Sequence, residues 1–288
     1  MKWIVLLLTA TFFLPGAFAV DSTKQIIQQH LSEKQLDDAE DVVENWVKKE
    51  PENAAAWHTR GIVMAQQAQD AFFSALSYAG KSVDSFEKAV KLAPNNIKYR
   101  TALMQFYLMA PSIAGGDDEK ALAEIEAIAE IDAVQGALAK IGYLKKHEKD
   151  EQAEQLVEET LADYPDNADI LVYVGFQEQR TKNYEKAFSL FEHAARGESA
   201  EGDASVIALY QIGKTAVLAK AQVDEGIHAL KQYLAAELPD NSPGSEWANF
   251  RLAQLFALKG NDAESEQLLA SLTEVDDKEL QKQISDWN

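Results

Sequence analysis

From about Asp21 to the C-terminus, the chain repeats a pattern of small and large apolar residues roughly every 34 residues. The clearest copy spans residues 168–201, and its marker positions hold Leu171, Gly175, Ala187, Phe191 and Ala194. Apolar positions three or four residues apart indicate helices, and the small residues mark where two helices approach closely. A unit of this length is a helix pair that buries its apolar face only against its neighbours. The sequence therefore predicts an all-α solenoid.

About seven helix pairs follow one another in this register. The first runs from about Ser22 to Asn53, where Pro51 ends its second helix, because the residue before proline avoids helical geometry. Beyond the seventh pair, a polar segment from Asp277 to Trp287 is predicted to form a helix that caps the open end of the stack.

Two repeats are longer than the others. The second has about nine extra residues between its helices, around Asp70 to Lys81, and the third has about five at Ala110 to Asp117. Both additions project from the same edge of neighbouring repeats. Because apolar side chains need cover, we expect the apolar residues of the second repeat to pack over Ile113; they are Phe72, Phe73, Leu76 and Tyr78. The alternative is an exposed apolar edge for a partner or a second copy.

The N-terminus has the pattern of a cleavable signal peptide. Lys2 precedes an apolar run from Trp3 to Leu14, and Ala17-Phe18-Ala19 supplies the small-residue cleavage site. The run is too short to span the hydrocarbon core of a bilayer. We expect residues 1–19 to be removed, which leaves residues 20–288 as a single exported repeat domain with no membrane insertion.

The net charge of the chain limits the classes of partner that it is expected to bind. With 47 acidic and 27 basic residues, the net charge is −20, which disfavours a general affinity for nucleic acid or for anionic membranes. The chain has no cysteine, so thiol catalysis and thiolate metal sites are excluded.

No pattern of catalytic or cofactor-binding residues stands out. Ala75 to Ser82 loosely matches a phosphate-binding loop, but it lacks the first glycine and follows a helical run, so a helical turn is expected. The histidines lie in different repeats without metal-ligand spacing; they are His30, His58, His147, His193 and His228. We predict a protein that is not an enzyme and that needs no cofactor or metal.

These repeats resemble the tetratricopeptide repeat (TPR) family over nearly the whole predicted mature chain. Residues 82–121, with Phe86-Glu87-Lys88-Ala89-Val90 and an Ala-Pro…Gly-Gly turn from Ala110, are similar to a variant found in exported Gram-negative TPR proteins. The resemblance implies a right-handed α-solenoid in the periplasm with a concave groove lined by the first helix of each pair.

The resemblance also selects groove positions. Carried over to this chain, they are Lys98, Thr101, Gln105, Gln135, Leu138, Lys145, Lys146, Val172, Phe176, Gln179, Arg180, Tyr210, Lys214, Trp247, Phe250 and Gln254. Five are basic in an acidic chain, so the groove would attract an acidic or carboxylate-bearing segment. The alternative is that these basic residues lie near the C-terminal ends of helices, where the helix dipole stabilises a positive charge.

The predicted function is recognition of another protein. An extended or helical segment of the partner would lie in the groove on the aromatic anchors Tyr210, Trp247 and Phe250, in the assembly, folding or transport of envelope proteins. The alternative is a structural protein that forms a homodimer through the edge at Phe72 to Tyr78.

Overall fold

A computed structural model of the chain describes residues 16–199, 202–239, 242–273 and 275–287. The chain divides into two compact units between Ile131 and Asp132, called unit 1 and unit 2 below. The predicted signal peptide, residues 1–19, lies largely outside the described residues. The single repeat domain over residues 20–288 stays a prediction.

Unit 1 contains six α-helices and one 3₁₀ turn within its described residues. They are α1 (Gly16–Ser32), α2 (Leu36–Lys49), α3 (Ala54–Asp70), α4 (Ala75–Leu92), α5 (Ile97–Met109), the 3₁₀ turn (Ser112–Ala114) and α6 (Asp118–Ile131). Each helix contacts the next from α1 to α6, so the three predicted pairs are present. The segment that loosely matched a phosphate-binding loop lies in α4, as expected.

Unit 2 contains nine α-helices in the part of it that the structure describes. They are α7 (Ala133–Lys146), α8 (Asp150–Asp163), α9 (Ala168–Arg180), α10 (Tyr184–Ala194), α11 (Asp203–Ala219), α12 (Val223–Ala235), α13 (Ser245–Leu258), α14 (Asp262–Ala270) and α15 (Lys278–Trp287). The first eight form four pairs, which completes the predicted seven. The all-α repeat fold is confirmed.

Close approach within the second, fifth and sixth pairs depends on Gly61, Gly175 and Gly213, as the sequence predicts. A Cβ on Gly175 would lie 2.6 Å from the Phe191 ring, and one on Gly61 would lie 2.5 Å from the Phe86 ring. The rings therefore fill the space that the missing side chains leave. Phe191 is fully buried, so this contact belongs to the core of unit 2.

The extra residues of the second repeat, predicted to lie between its two helices around Asp70 to Lys81, are for the most part helical themselves. They lengthen both helices: α3 has 17 residues and α4 has 18, against 13 in α9 and 11 in α10. Only residues 71–74 connect α3 to α4. A helix satisfies its own backbone hydrogen bonds, which makes this the simpler way to accommodate an insertion.

The expected cover over Ile113 is also wrong. Ile113 is 80% exposed, Phe72 is 88% exposed and Phe73 is 96% exposed. Tyr78 instead packs half-buried against the core of unit 1, with Lys81 Nζ 4.7 Å from its ring centroid. The lengthened helices carry the two phenylalanines to the end of the α3–α4 hairpin, while the next turn of the helix returns Tyr78 to the core.

The last helix caps unit 2 as predicted. Leu280 of α15 is fully buried against Phe250 and Leu272. Asp277 precedes the helix and accepts backbone N–H groups of its first turn, and it also accepts the indole N–H of Trp247 at 2.8 Å. Within the described residues, no helix is long and apolar enough to cross a membrane.

Candidate partner-binding face

The first helices of successive pairs contact one another in unit 2. Contacts join α7 to α9, α9 to α11 and α11 to α13, and we call the surface of these four helices the inner face. In helical-repeat proteins the small rotation between repeats creates an extended concave surface that binds other molecules. The inner face is the counterpart in unit 2 of the predicted groove.

Neutral polar side chains join α9 to α11 on this face. The amide of Gln179 donates to the Thr215 hydroxyl at 2.8 Å and to the Gln211 side-chain oxygen at 3.3 Å. Thr215 and Gln211 are both buried. These bonds hold the two helices in register without using any charged group, so they leave the charges of the inner face available.

Arg251 on α13 is held in place by uncharged partners. Its guanidinium carbon lies 5.6 Å from the Trp247 ring centroid and 5.3 Å from that of Phe250. Its Nη1 donates to Gln254 at 2.8 Å and its Nη2 donates to Gln283 at 3.0 Å. Its Nε is buried and has no hydrogen-bond partner among the described residues. The guanidinium is thus oriented but not neutralised.

A second cation lies close to Arg251. The pKa of Lys214 is lowered, first by burial and then by the positive charge of Arg251. Burial raises the pKa of Tyr210, and the charge of Arg251 opposes that change. Lys214, Arg251 and Tyr210 therefore interact electrostatically. Neither cation pairs with a carboxylate within the described residues, so the two repel each other and an anion beside them would be favoured.

The lysines and arginines of unit 1 that form ion pairs mostly pair with carboxylates on other helices of unit 1. Arg60 pairs with Glu44 at 2.8 Å, and Arg100 pairs with Glu124 at 2.6 Å. Among the lysines and arginines of unit 2, only Lys186 and Lys259 pair with a carboxylate within the described residues, so most are unpaired there; five of these are Lys145, Lys146, Arg180, Lys214 and Arg251. Four of these five are predicted groove residues, and each is free to pair with a charge supplied from outside.

The other predicted groove residues of unit 2 differ in accessibility. Phe176 is 40% exposed, and Trp247 is half-buried. Tyr210, Phe250 and Gln254 are buried. Tyr210 and Phe250 are therefore core residues and not anchors for a partner, which corrects the prediction. Tyr210 packs against Tyr233, and Phe250 is covered by Leu280 and Trp287 of α15.

Three predicted groove residues lie in unit 1, on α5. Lys98 and Gln105 are exposed, and Thr101 is half-buried. The charge of Lys98 contributes to the lowered pKa of His58 on α3, after the larger contribution of burial. These residues belong to the surface of unit 1.

Arg251 was missed because the repeat register assigns it to no groove position. A local signal was available: Trp247 lies four residues before it and Gln254 three residues after it, so all three share one side of a helix. An arginine four residues after a tryptophan on a helix is placed for a cation–π contact.

The described residues contain no group of three or more side chains that could hold a metal ion. His193, one of the scattered histidines, pairs with Asp166 at 2.7 Å. His58 packs between the rings of Phe86 and Tyr99. Both histidines contact neighbouring side chains of the fold and do not mark a separate site. The inner face remains the candidate site.

No family model matches the sequence, and no curated protein matches it. Among solved structures, the chain is similar to yeast Tom70, with a TM-score of 0.50 and 14% identity over 97% of this chain and 65% of that one. It thus spans less than two thirds of the Tom70 chain. YrrB, described as a TPR protein with an unusual peptide-binding site, gives a TM-score of 0.43 at 17% identity, covering 71% of this chain and 99% of that one. A tetratricopeptide repeat protein from Parabacteroides merdae gives 0.41 at 11% identity, covering 93% and 98%.

The stacked helix pairs, the glycine–aromatic contacts inside them and the likeness in fold to Tom70 define the class of fold. It is the α-solenoid of TPR proteins.

Proposed function

We propose that this chain is an exported protein-binding scaffold that takes an acidic extended or helical segment of a partner on the inner face of unit 2. Its role would be in the assembly, folding or transport of envelope proteins, and it would be non-catalytic. The observation that carries the proposal is the interacting pair Lys214 and Arg251, which has only neutral partners within the described residues.

The electrostatics of this face favour a carboxylate ligand. Arg251 is already oriented by its two rings and two amides, so a carboxylate that meets it loses little additional side-chain freedom. The Debye length is about 8 Å at physiological ionic strength, so the acidic residues elsewhere are screened and the local cations dominate. An acidic segment would therefore bind here although the whole chain has a net charge of −20.

An apolar contact is available on the same face. Phe176 on α9 is 40% exposed and lies edge-on to the buried Phe191 ring, with 5.7 Å between centroids. A rigid, partly exposed aromatic ring is a common anchor in protein interfaces. Phe176 takes the anchoring role that the repeat register predicts for Tyr210 and Phe250, and Trp247 keeps its predicted role.

Partner capture tests the proposal. We expect a protein in envelope extract to be retained by the wild type and to be lost, at least tenfold, with Lys146→Glu/Arg180→Glu/Lys214→Glu, because three attractive charges become repulsive. The matched control is Lys48→Glu/Lys49→Glu/Lys91→Glu, which makes the same change in net charge at exposed lysines of unit 1. Equal loss in both triple variants would show a general charge effect and would contradict a site on the inner face.

Export is proposed from the apolar run and the Ala17-Phe18-Ala19 site. We expect the intact mass of protein purified from a Gram-negative host to correspond to a chain that begins at Val20, and the protein to be released with the periplasmic fraction. Replacing both Ala17 and Ala19 with arginine should block processing, because the peptidase needs small residues there. A mass that includes residues 1–19 in the wild type would refute the signal peptide.

A further inference from the structure

The most exposed apolar side chains gather at one edge of unit 1. Among the described residues, the five large hydrophobic side chains with the highest exposure are Phe73 (96%), Phe72 (88%), Ile113 (80%), Met109 (66%) and Leu76 (53%). Three lie at the α3–α4 connection and the start of α4, and two lie at the end of α5 and in the 3₁₀ turn that follows. We call these five residues the apolar edge. The 3₁₀ turn contacts α4, so both parts belong to one surface of unit 1.

Local geometry shapes both parts of the apolar edge. Phe72 and Phe73 pack edge to face, with centroids 4.9 Å apart. After the 3₁₀ turn, Gly115 has φ +98°, and a Cβ on Gly116 would lie 1.8 Å from the Ala110 carbonyl oxygen. Only glycine fits this tight connection, which turns Ile113 outward.

The apolar edge is also free of charge. Residues 71–80 and 109–116 contain no Asp, Glu, Lys or Arg, in a chain where 26% of residues are charged. A second copy of this strongly acidic chain would be repelled by most of the surface. The apolar edge, however, carries no charge that would repel it. An anionic bilayer is charged over its whole surface, so it would still be repelled by the acidic surface around the apolar edge.

The exposed area is close to what one side of a stable interface needs. At about 150–200 Å² for a fully exposed large side chain, the five fractions give roughly 600–750 Å². Standard interfaces bury about 800 Å² per partner, and monomers rarely expose an apolar patch of more than a few hundred Å². A two-fold interface is self-complementary, so the Phe72–Phe73 pair of each copy would meet Met109 and Ile113 of the other.

We propose that two copies of this chain pair through the apolar edge about a two-fold axis. The apolar edge belongs to unit 1 and the inner face to unit 2, so a dimer would carry two inner faces. Because a dimer with two equal sites gains apparent affinity for a partner that presents two acidic segments, pairing would strengthen the proposed scaffold role without altering either face.

Solution mass is the first test. We expect the wild-type protein to have the mass of a dimer by light scattering at micromolar concentration, and Phe72→Ser/Phe73→Ser to have that of a monomer. Both residues are almost fully exposed, so the variant should keep the wild-type helical signal. The matched control is Phe176→Ser, which removes an exposed phenylalanine of unit 2 and should remain dimeric. A monomeric wild type at about 100 µM, or a dimeric double variant, would overturn the proposal.

Cross-linking tests the geometry independently, because the chain has no native cysteine. Ser74 and Ser112 are exposed and border the two parts of the apolar edge. Oxidising a mixture of the single variants Ser74→Cys and Ser112→Cys should give a disulfide between copies. Mixing Ser74→Cys with Ser271→Cys, exposed in unit 2, should give none. If the wild type is monomeric and binds phosphatidylcholine vesicles through Phe72 and Phe73, the edge is a lipid-binding surface and the dimer is refuted.

Discussion

Replacing Phe191 with alanine is expected to lower the free energy of unfolding by about 4 kcal/mol. Phe191 is fully buried between the helices of the fifth pair, and its ring fills the space beside Gly175. Truncation removes the apolar burial and leaves a cavity that the two helices cannot close. Urea unfolding monitored by circular dichroism measures the change. A loss below about 1 kcal/mol would contradict the packing described for this pair.

A double-mutant cycle separates the glycine contact from general loss of packing. Gly175→Ala alone should destabilise by about 1–3 kcal/mol, because its new Cβ would lie 2.6 Å from the ring. In the background of Phe191→Leu, which removes that ring, the same change should cost much less. Additive effects would show that Gly175 is not required by close approach to Phe191.

Acid sensitivity of unit 1 is expected to depend on His58. The side chain is 7% exposed, and burial, followed by the charges of Lys98 and Lys24, lowers its pKa from 6.5 to about 4. The unfolded chain takes up this proton at about pH 6.5, whereas the folded chain resists it down to about pH 4. The stability due to neutral His58 is therefore complete above pH 6.5 and is lost as the pH falls towards 4. The loss is about 3 kcal/mol at the lower end.

The measurement compares the wild type with His58→Gln, which keeps a polar side chain but cannot take up the proton. The difference in unfolding free energy between them should change by about 3 kcal/mol between pH 7 and pH 4, in favour of the variant at low pH. His228→Gln replaces an exposed histidine and should follow the wild-type curve. Parallel curves for the wild type and His58→Gln would contradict a buried, neutral His58.

The fold could be predicted from the sequence because repeat periodicity and glycine positions are local signals. Gly175 and Phe191 mark one helix pair, and the same spacing places the others and the final cap. The insertions were predicted less well. Sequence length shows that residues are added, but it does not show that they lengthen both helices and leave Phe72 and Ile113 exposed.

The inner face was predicted in part. Lys214 and Arg180 could be placed by repeat register, and neither has a carboxylate partner in the part of the chain that the structure describes. Tyr210 and Phe250 occupy the same register but are buried, since neighbouring helices cover them. Register gives the direction of a side chain within one repeat. It does not show what the next repeat, or a capping helix, places over that side chain.

Site-specific photo-cross-linking in cells tests the central claim, that a partner binds the inner face. A p-benzoylphenylalanine at Phe176 would report on α9, and the same residue at Tyr164 would report on the end of α8, a second helix. The two native aromatics are matched, at 40% and 42% exposure. We predict a discrete adduct with another protein from position 176, weakened by Lys214→Glu, and none from position 164. An adduct from position 164 alone, or equal adducts from both, would contradict binding at the inner face.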